Sequence, residues 1–338
     1  MLVDTATHAR LLWYGMKYHG TTAATLAVFP PRPLALASSA APLPARDLAY
    51  WLRPHTSKTR LPIVFLHGIG VGLHPYIDFF HETDIALNAC ADADDQVGIL
   101  VVEVLQISSR LTSAIITRIN FLDQMTTMLD HYGWERFVLV SHSYGSVLST
   151  YMLTDEVMAS RTAAMMLIDP VTILLHMPDV AYNFTARQPR KANEWQLWYF
   201  ASKDPGVSHV LGRHFFWSQN ILWREQILEL VKGGMRMTVS LAQRDLIVDT
   251  DAVGSYLTEN KMPDPVVVRG ETNQKRMELR ARDEKEKVDA KVNWKTRKFS
   301  GKGLEILWWD DLDHAQVFDV PGARAKLVDV LVEYCKGD

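Results

Sequence analysis

Ser143 has small residues, Ser141 and Gly145, two positions to either side within residues 137–146, FVLVSHSYGS. A serine hydroxyl is a poor nucleophile unless a base takes its proton. In attack on a carbonyl, donors must also receive the charge that grows on the oxygen. The local pattern suits such work. Phe137, Val138, Leu139 and Val140 read as a short buried strand, Ser141 to Gly145 as a turn, and the following VLSTYMLTDEVMA as a helix. Strand, sharp turn and helix together force the central residue into a strained backbone and push its hydroxyl over the end of a sheet. Side chains two residues before and after it must be small. Gly145 meets that need and Ser141 meets it less well. The alternative is an ordinary turn that happens to contain a serine, and the rest of the chain decides between the two.

The stretch resembles the nucleophile elbow of the α/β-hydrolase family, G-x-S-x-G, with Ser141 where glycine is usual. A second resemblance lies upstream. The apolar run LPIVFL at 61–66 leads into His67-Gly68-Ile69-Gly70, similar to the H-G-x-G turn after the family's third strand. That likeness implies the backbone N–H groups of Ile69 and Tyr144 as the oxyanion donors. The plain reading of the same residues is a glycine-rich turn between strand and helix.

The resemblance extends to an acid and a base. Asp245, in QRDLIV after the strand-like run 235–242, matches the family's acid, and Asp169, in Asp169-Pro170 after residues 163–168, is the rival position. His314, in the loop after LEILW, matches the base and is the only one of 12 histidines so placed. His142 is expected to point away from the nucleophile. Asp310, Asp311 and Asp313 are expected to raise the pKa of His314 or to offer a substitute acid. The order Ser143, Asp245, His314 is the family's order. The resemblance runs from 61 to 335 and leaves out the N-terminal arm and a charged insert.

The implied reaction is acyl transfer to water: a serine hydrolase cleaving an ester-type bond of an apolar or aromatic small molecule, with no cofactor and no metal. Serine at position 143 argues against epoxide hydrolases and haloalkane dehalogenases, which use aspartate there. The same residues would also serve an acyltransferase or a C–C hydrolase, and a non-catalytic binding protein of this fold is the alternative from another class.

Positioning these residues takes an alternation of strands and helices. Strand patterns at 61–66, 97–105, 137–140, 163–168, 235–242 and 304–308 are separated by helix patterns at 75–88 and 112–132. The expectation is an α/β fold with a doubly wound, mostly parallel sheet, its active site at the C-terminal strand ends. Residues 1–60 read as an arm or linker, with a strand at 47–52. The resemblance implies core at 61–170 and 233–338, and a helical cap at 171–232, where the family inserts one over the site. The cap holds Trp195, Trp198, Tyr199, Phe200, Phe215, Phe216, Trp217 and Trp223, most of them expected in the cap's own core and some lining a pocket.

Composition sets the outer limits. The net charge of −3 gives no general attraction to nucleic acid. Two distant cysteines, Cys90 and Cys335, fit a reducing compartment, so a cytoplasmic location is expected. No apolar run is long enough to span a bilayer, because residues 22–45 are broken by five prolines. The insert 258–302 is mixed in charge, with 11 Lys/Arg against 6 Asp/Glu over 271–302. It reads as a solvated face, with peripheral membrane contact through it or through the N-terminal arm as the second reading. The sequence leaves the oligomeric state open.

Overall fold

The computed structural model describes residues 2–20, 26–40, 44–259 and 294–337. One sheet of eight strands organises them, in the order β1-β2-β4-β3-β5-β6-β7-β8. The strands are β1 (Lys17–His19), β2 (Ala49–Arg53), β3 (Ile63–Leu66), β4 (Ile99–Glu103), β5 (Phe137–His142), β6 (Thr162–Ile168), β7 (Arg236–Ala242) and β8 (Leu304–Trp309). From β4 to β8 all neighbours are parallel, and β1 and β2 add an antiparallel edge.

The strand sequences explain this burial. Side chains alternate between faces, and a sheet covered on both sides needs apolar residues at every position. In β5, Phe137 and Leu139 enter one core and Val138 and Val140 the other. Val64 and Leu66 of β3 likewise face one core, and Ile63 and Phe65 the opposite one. Helices α1 (Leu2–Trp13), α2 (Ile77–Asn88) and, at the C-terminus, Pro321–Cys335 cover one face through residues such as Leu11, Phe79, Leu327 and Tyr334. On the other face lie α3 (Arg118–His131), α4 (Gly145–Leu153) and Thr250–Glu259, through Phe121, Met125, Val147, Met152 and Tyr256.

One segment fills in the expectation and one departs from it. The residues read as an arm contribute α1, β1 and β2 to the sheet and its cover, with β2 overlapping the strand expected at 47–52. Arg32, buried in this region, bonds both oxygens of the buried Glu103 at the end of β4 (2.7 and 3.0 Å), tying the arm to the sheet. The helix expected over 112–132 begins only at Arg118, where the Thr117 hydroxyl caps it by accepting the Asn120 N–H (3.3 Å).

Helical insertions after β6 form a cap, including α5 (Ala192–Leu197), a π-helical turn over Trp198–Ser202 and α6 (Pro205–Arg213). The expected aromatic core of the cap is not what forms. Trp195, Tyr199, Phe200, Phe216 and Trp217 are each more than half exposed and Trp223 is 37 % exposed, while Trp198 and Phe215 are half-buried. Most of the charged insert lies outside the described residues. Its end re-enters the core at Trp294, which packs edge-on against Trp308 of β8 (5.2 Å between centroids). Among the described residues, no helix is long and apolar enough to cross a membrane.

Candidate active site

Ser143 follows the last residue of β5 and precedes α4. Its φ is +51°, a conformation that a non-glycine residue adopts only when its surroundings enforce it. They do so here through three bonds. The Ser143 N–H donates to the Ile168 carbonyl (3.0 Å), and the Ser143 carbonyl accepts from Ser146 N–H (2.9 Å) and from Ser146 Oγ (2.6 Å). Gly145 is needed for close approach: a Cβ there would stand 2.1 Å from the Leu66 carbonyl oxygen. At the other small position, Ser141 is wholly buried within the strand.

The glycine-rich turn after β3 comes against this elbow. A Cβ on Gly68 would lie 2.8 Å from Ser143 Cβ and 2.8 Å from His142 Nδ1. The buried His67 holds the turn, with Nδ1 donating to the Gly68 carbonyl (2.7 Å) and Nε2 accepting the Val104 N–H (2.8 Å). Burial keeps His67 neutral by lowering its pKa. Ile69 and Tyr144 thus follow directly on the two residues, Gly68 and Ser143, that touch across the turn.

His314 lies in the loop after β8. Its Nε2 is 2.9 Å from Ser143 Oγ and its Nδ1 is 2.7 Å from Asp245 Oδ2. The Asp245 side chain is fully buried, and its Oδ1 accepts the N–H groups of Ile247 (2.7 Å) and Val248 (2.9 Å). The three sequence-derived residues therefore form one hydrogen-bonded line. Burial of the imidazole pushes its pKa down. The Asp245 carboxylate more than reverses this, aided by Asp169 and Asp313, and the pKa is raised to about 9.

Asp169, the rival acid, sits close by: one carboxylate oxygen of it, one of Asp245 and one ring nitrogen of His314 lie within 4.8 Å of one another. It does not bond the imidazole. Its Oδ2 accepts the backbone N–H of Ala315 (2.9 Å), and it steadies the loop that carries His314. Burial, then repulsion from Asp245, raises its pKa. His142 turns from Ser143 to bond Tyr76 Oη (2.8 Å), although its ring centroid remains 5.1 Å from that of His314.

Asp313 does more than the electrostatic work expected of it. Oδ1 accepts the N–H groups of both His314 (2.7 Å) and Leu246 (2.9 Å), joining the two loops that carry His314 and Asp245. Oδ2 accepts Nδ2 of Asn193 in α5 (2.7 Å), joining both loops to the cap. Asn193 carried no signal in the sequence. Asp310 and Asp311 face elsewhere, toward Trp308 Nε1 and Arg244.

Residues 62–217 match the family model of the α/β-hydrolase fold. Among solved structures, the chain is similar to a bacterial membrane phospholipase A at 9 % identity, covering 98 % of this chain and 90 % of that one with a TM-score of 0.52. It is also similar to a meta-cleavage product hydrolase from Pseudomonas fluorescens at 12 % identity, covering 86 % and 95 % with a TM-score of 0.50. No curated protein matches the sequence. The sheet order and the family match together give the chain the fold of the α/β-hydrolase superfamily.

Proposed function

We propose that the chain is a serine hydrolase that cleaves an ester-type bond through an acyl-enzyme on Ser143. The observation that carries this reading is the unbroken line Ser143 Oγ, His314 Nε2, His314 Nδ1, Asp245 Oδ2, with Ser143 held at positive φ. Ser143 Oγ attacks the carbonyl carbon while its proton passes to His314 Nε2. Asp245 stabilises the imidazolium. The Ile69 and Tyr144 N–H groups receive the oxyanion. Collapse of the tetrahedral intermediate expels the alcohol, which takes the proton from His314. Water then gives its proton to His314, attacks the acyl carbon, and releases the acid and free Ser143.

Ile69, Phe215 and Leu246 are half-buried apolar neighbours of the oxyanion and acid positions, which supports an apolar or aromatic substrate. In this reading the core (61–170 and 233–338) performs the chemistry and the cap (171–232) selects the substrate. The two unpaired cysteines support a reducing, cytoplasmic setting. Peripheral contact with a membrane through the N-terminal segment completes the proposal.

The test is turnover of short and long p-nitrophenyl esters, beside labelling by a fluorophosphonate probe, in wild type and Ser143→Ala. Both signals are expected in wild type and neither in the variant. A folded wild type showing neither signal refutes the reading, and turnover that survives in the variant moves the nucleophile elsewhere.

A further inference from the structure

The outward-facing aromatics of the cap continue onto the body of the protein. Tyr199 is 69 % exposed and its ring meets that of exposed Phe200 edge to face, with centroids 5.0 Å apart. The Phe200 carbonyl is anchored by Ser109 Oγ (3.2 Å). Two residues further on, Leu111 pairs with Phe29 through two backbone hydrogen bonds of 2.9 Å, and both side chains are exposed. Leu26, also exposed, precedes them in the N-terminal segment. These bonds place the exposed side chains of Phe29, Leu111, Phe200 and Tyr199 on neighbouring segments, a strip of apolar residues drawn from two parts of the fold. Large apolar groups gathered in this way mark a surface that something covers.

Charge indicates what covers it. Residues 178–217 hold five Lys/Arg and three Asp/Glu. None of the acids is exposed. Asp204 caps α6 by accepting the Val207 N–H (2.9 Å), and Glu194 accepts the N–H groups of Arg190 (2.7 Å) and Lys191 (3.0 Å). The side chains of Arg190, Lys191, Lys203 and Arg213 are exposed, and Lys203 Nζ lies 5.9 Å from the Trp198 ring centroid, one helical turn from Tyr199. Trp and Tyr settle at the boundary between lipid and water, and Lys and Arg are drawn to anionic headgroups. A second copy packed on this strip about a twofold axis would bring like cations together.

We propose that this strip, with Lys203 and the cations around it, seats the protein on an anionic lipid surface. The inference deepens the peripheral contact named above and requires no catalytic step. It is tested by co-sedimentation of the full chain carrying Ser143→Ala, which leaves vesicle lipids intact. The vesicles are phosphatidylcholine alone or phosphatidylcholine mixed with phosphatidylglycerol, at low and high salt. Binding is expected only to the anionic vesicles and is weakened by salt. Lys203→Ala should weaken it about fivefold, and Tyr199→Ser with Phe200→Ser about tenfold or more. The same substitutions should leave the melting temperature unchanged. No binding to anionic vesicles, equal binding to neutral ones, or binding that neither variant weakens overturns the proposal. So does a dimer that the aromatic variant converts to monomer in light scattering. The hydrolase reading is judged separately, by turnover and labelling.

Discussion

Replacing Asp245 by asparagine preserves shape and removes one charge, isolating what that charge does for His314. Burial alone would hold the imidazole below its usual pKa, yet with Asp245 as the main opposing influence it stands at about 9 in place of 6.5. That difference is worth about 3 kcal/mol of preference for the imidazolium. The imidazolium is also what forms as Ser143 loses its proton, so the same preference lowers the barrier to attack. Its loss should reduce the pH-independent kcat/KM on the order of 100-fold. The true loss should be larger, because Asp245 also offsets burial and because asparagine can select the wrong tautomer.

The pH profile provides a second, independent readout. His314 acts as a base only when neutral, so kcat/KM of the wild type should rise with pH through about 9 and then level. In Asp245→Asn the main raising influence is gone, so the rising limb should move down from about 9 while the plateau falls. The assay is kcat/KM for a soluble p-nitrophenyl ester across that range, corrected for spontaneous hydrolysis. A plateau within about tenfold of wild type, on an unmoved limb, would refute the assignment. Asp169→Asn is the control. It removes a smaller pull on the imidazole, so its limb should shift slightly and its plateau should hold. If the large loss appears there instead, the rival acid is the true one.

Arg32→Ala should cost about 3–5 kcal/mol in urea unfolding, because it strands Glu103, only 6 % exposed, without the guanidinium that bonds both its oxygens. Near-native stability would show that the N-terminal segment is not locked to the sheet. Gly145→Ala forces a Cβ to 2.1 Å from a backbone oxygen, where no flexible side chain can yield. It should lose about 1–3 kcal/mol in stability and most fluorophosphonate labelling, and a variant equal to wild type in both would contradict the packing described at the elbow.

The strands from β3 onward were legible because a sheet covered on both faces leaves little room for polar side chains in a parallel strand. Thus LPIVFL and FVLV declare themselves without any partner in view. β1 did not, because Lys17-Tyr18-His19 has neither length nor apolar character. It exists through antiparallel pairing with β2, with Tyr18 opposite Trp51. The cap aromatics misled for a related reason. Composition says that Tyr199 and Phe200 are apolar but not which way they face. A π-helical turn over Trp198–Ser202 also breaks the 3.6-residue period from which a face would be read.

At the site, chain order identified which residues could meet, and loop length decided how they met. Asp169 directly follows β6, at a φ of +43°. From there its carboxylate reaches the Ala315 N–H and not the imidazole. Asp245 stands three residues beyond β7, in a turn closed by its own Oδ1 on Ile247 and Val248, and that extra reach delivers Oδ2 to His314. Asp313 then sets the distance between the two loops, because a single oxygen receives an N–H from each. Its second oxygen accepts Nδ2 of Asn193 in α5, so one side chain ties both loops to the cap. The sequence contained Asp313 as one more negative charge beside a histidine. Only the folded chain makes it the joint between the cap and the two loops that carry Asp245 and His314.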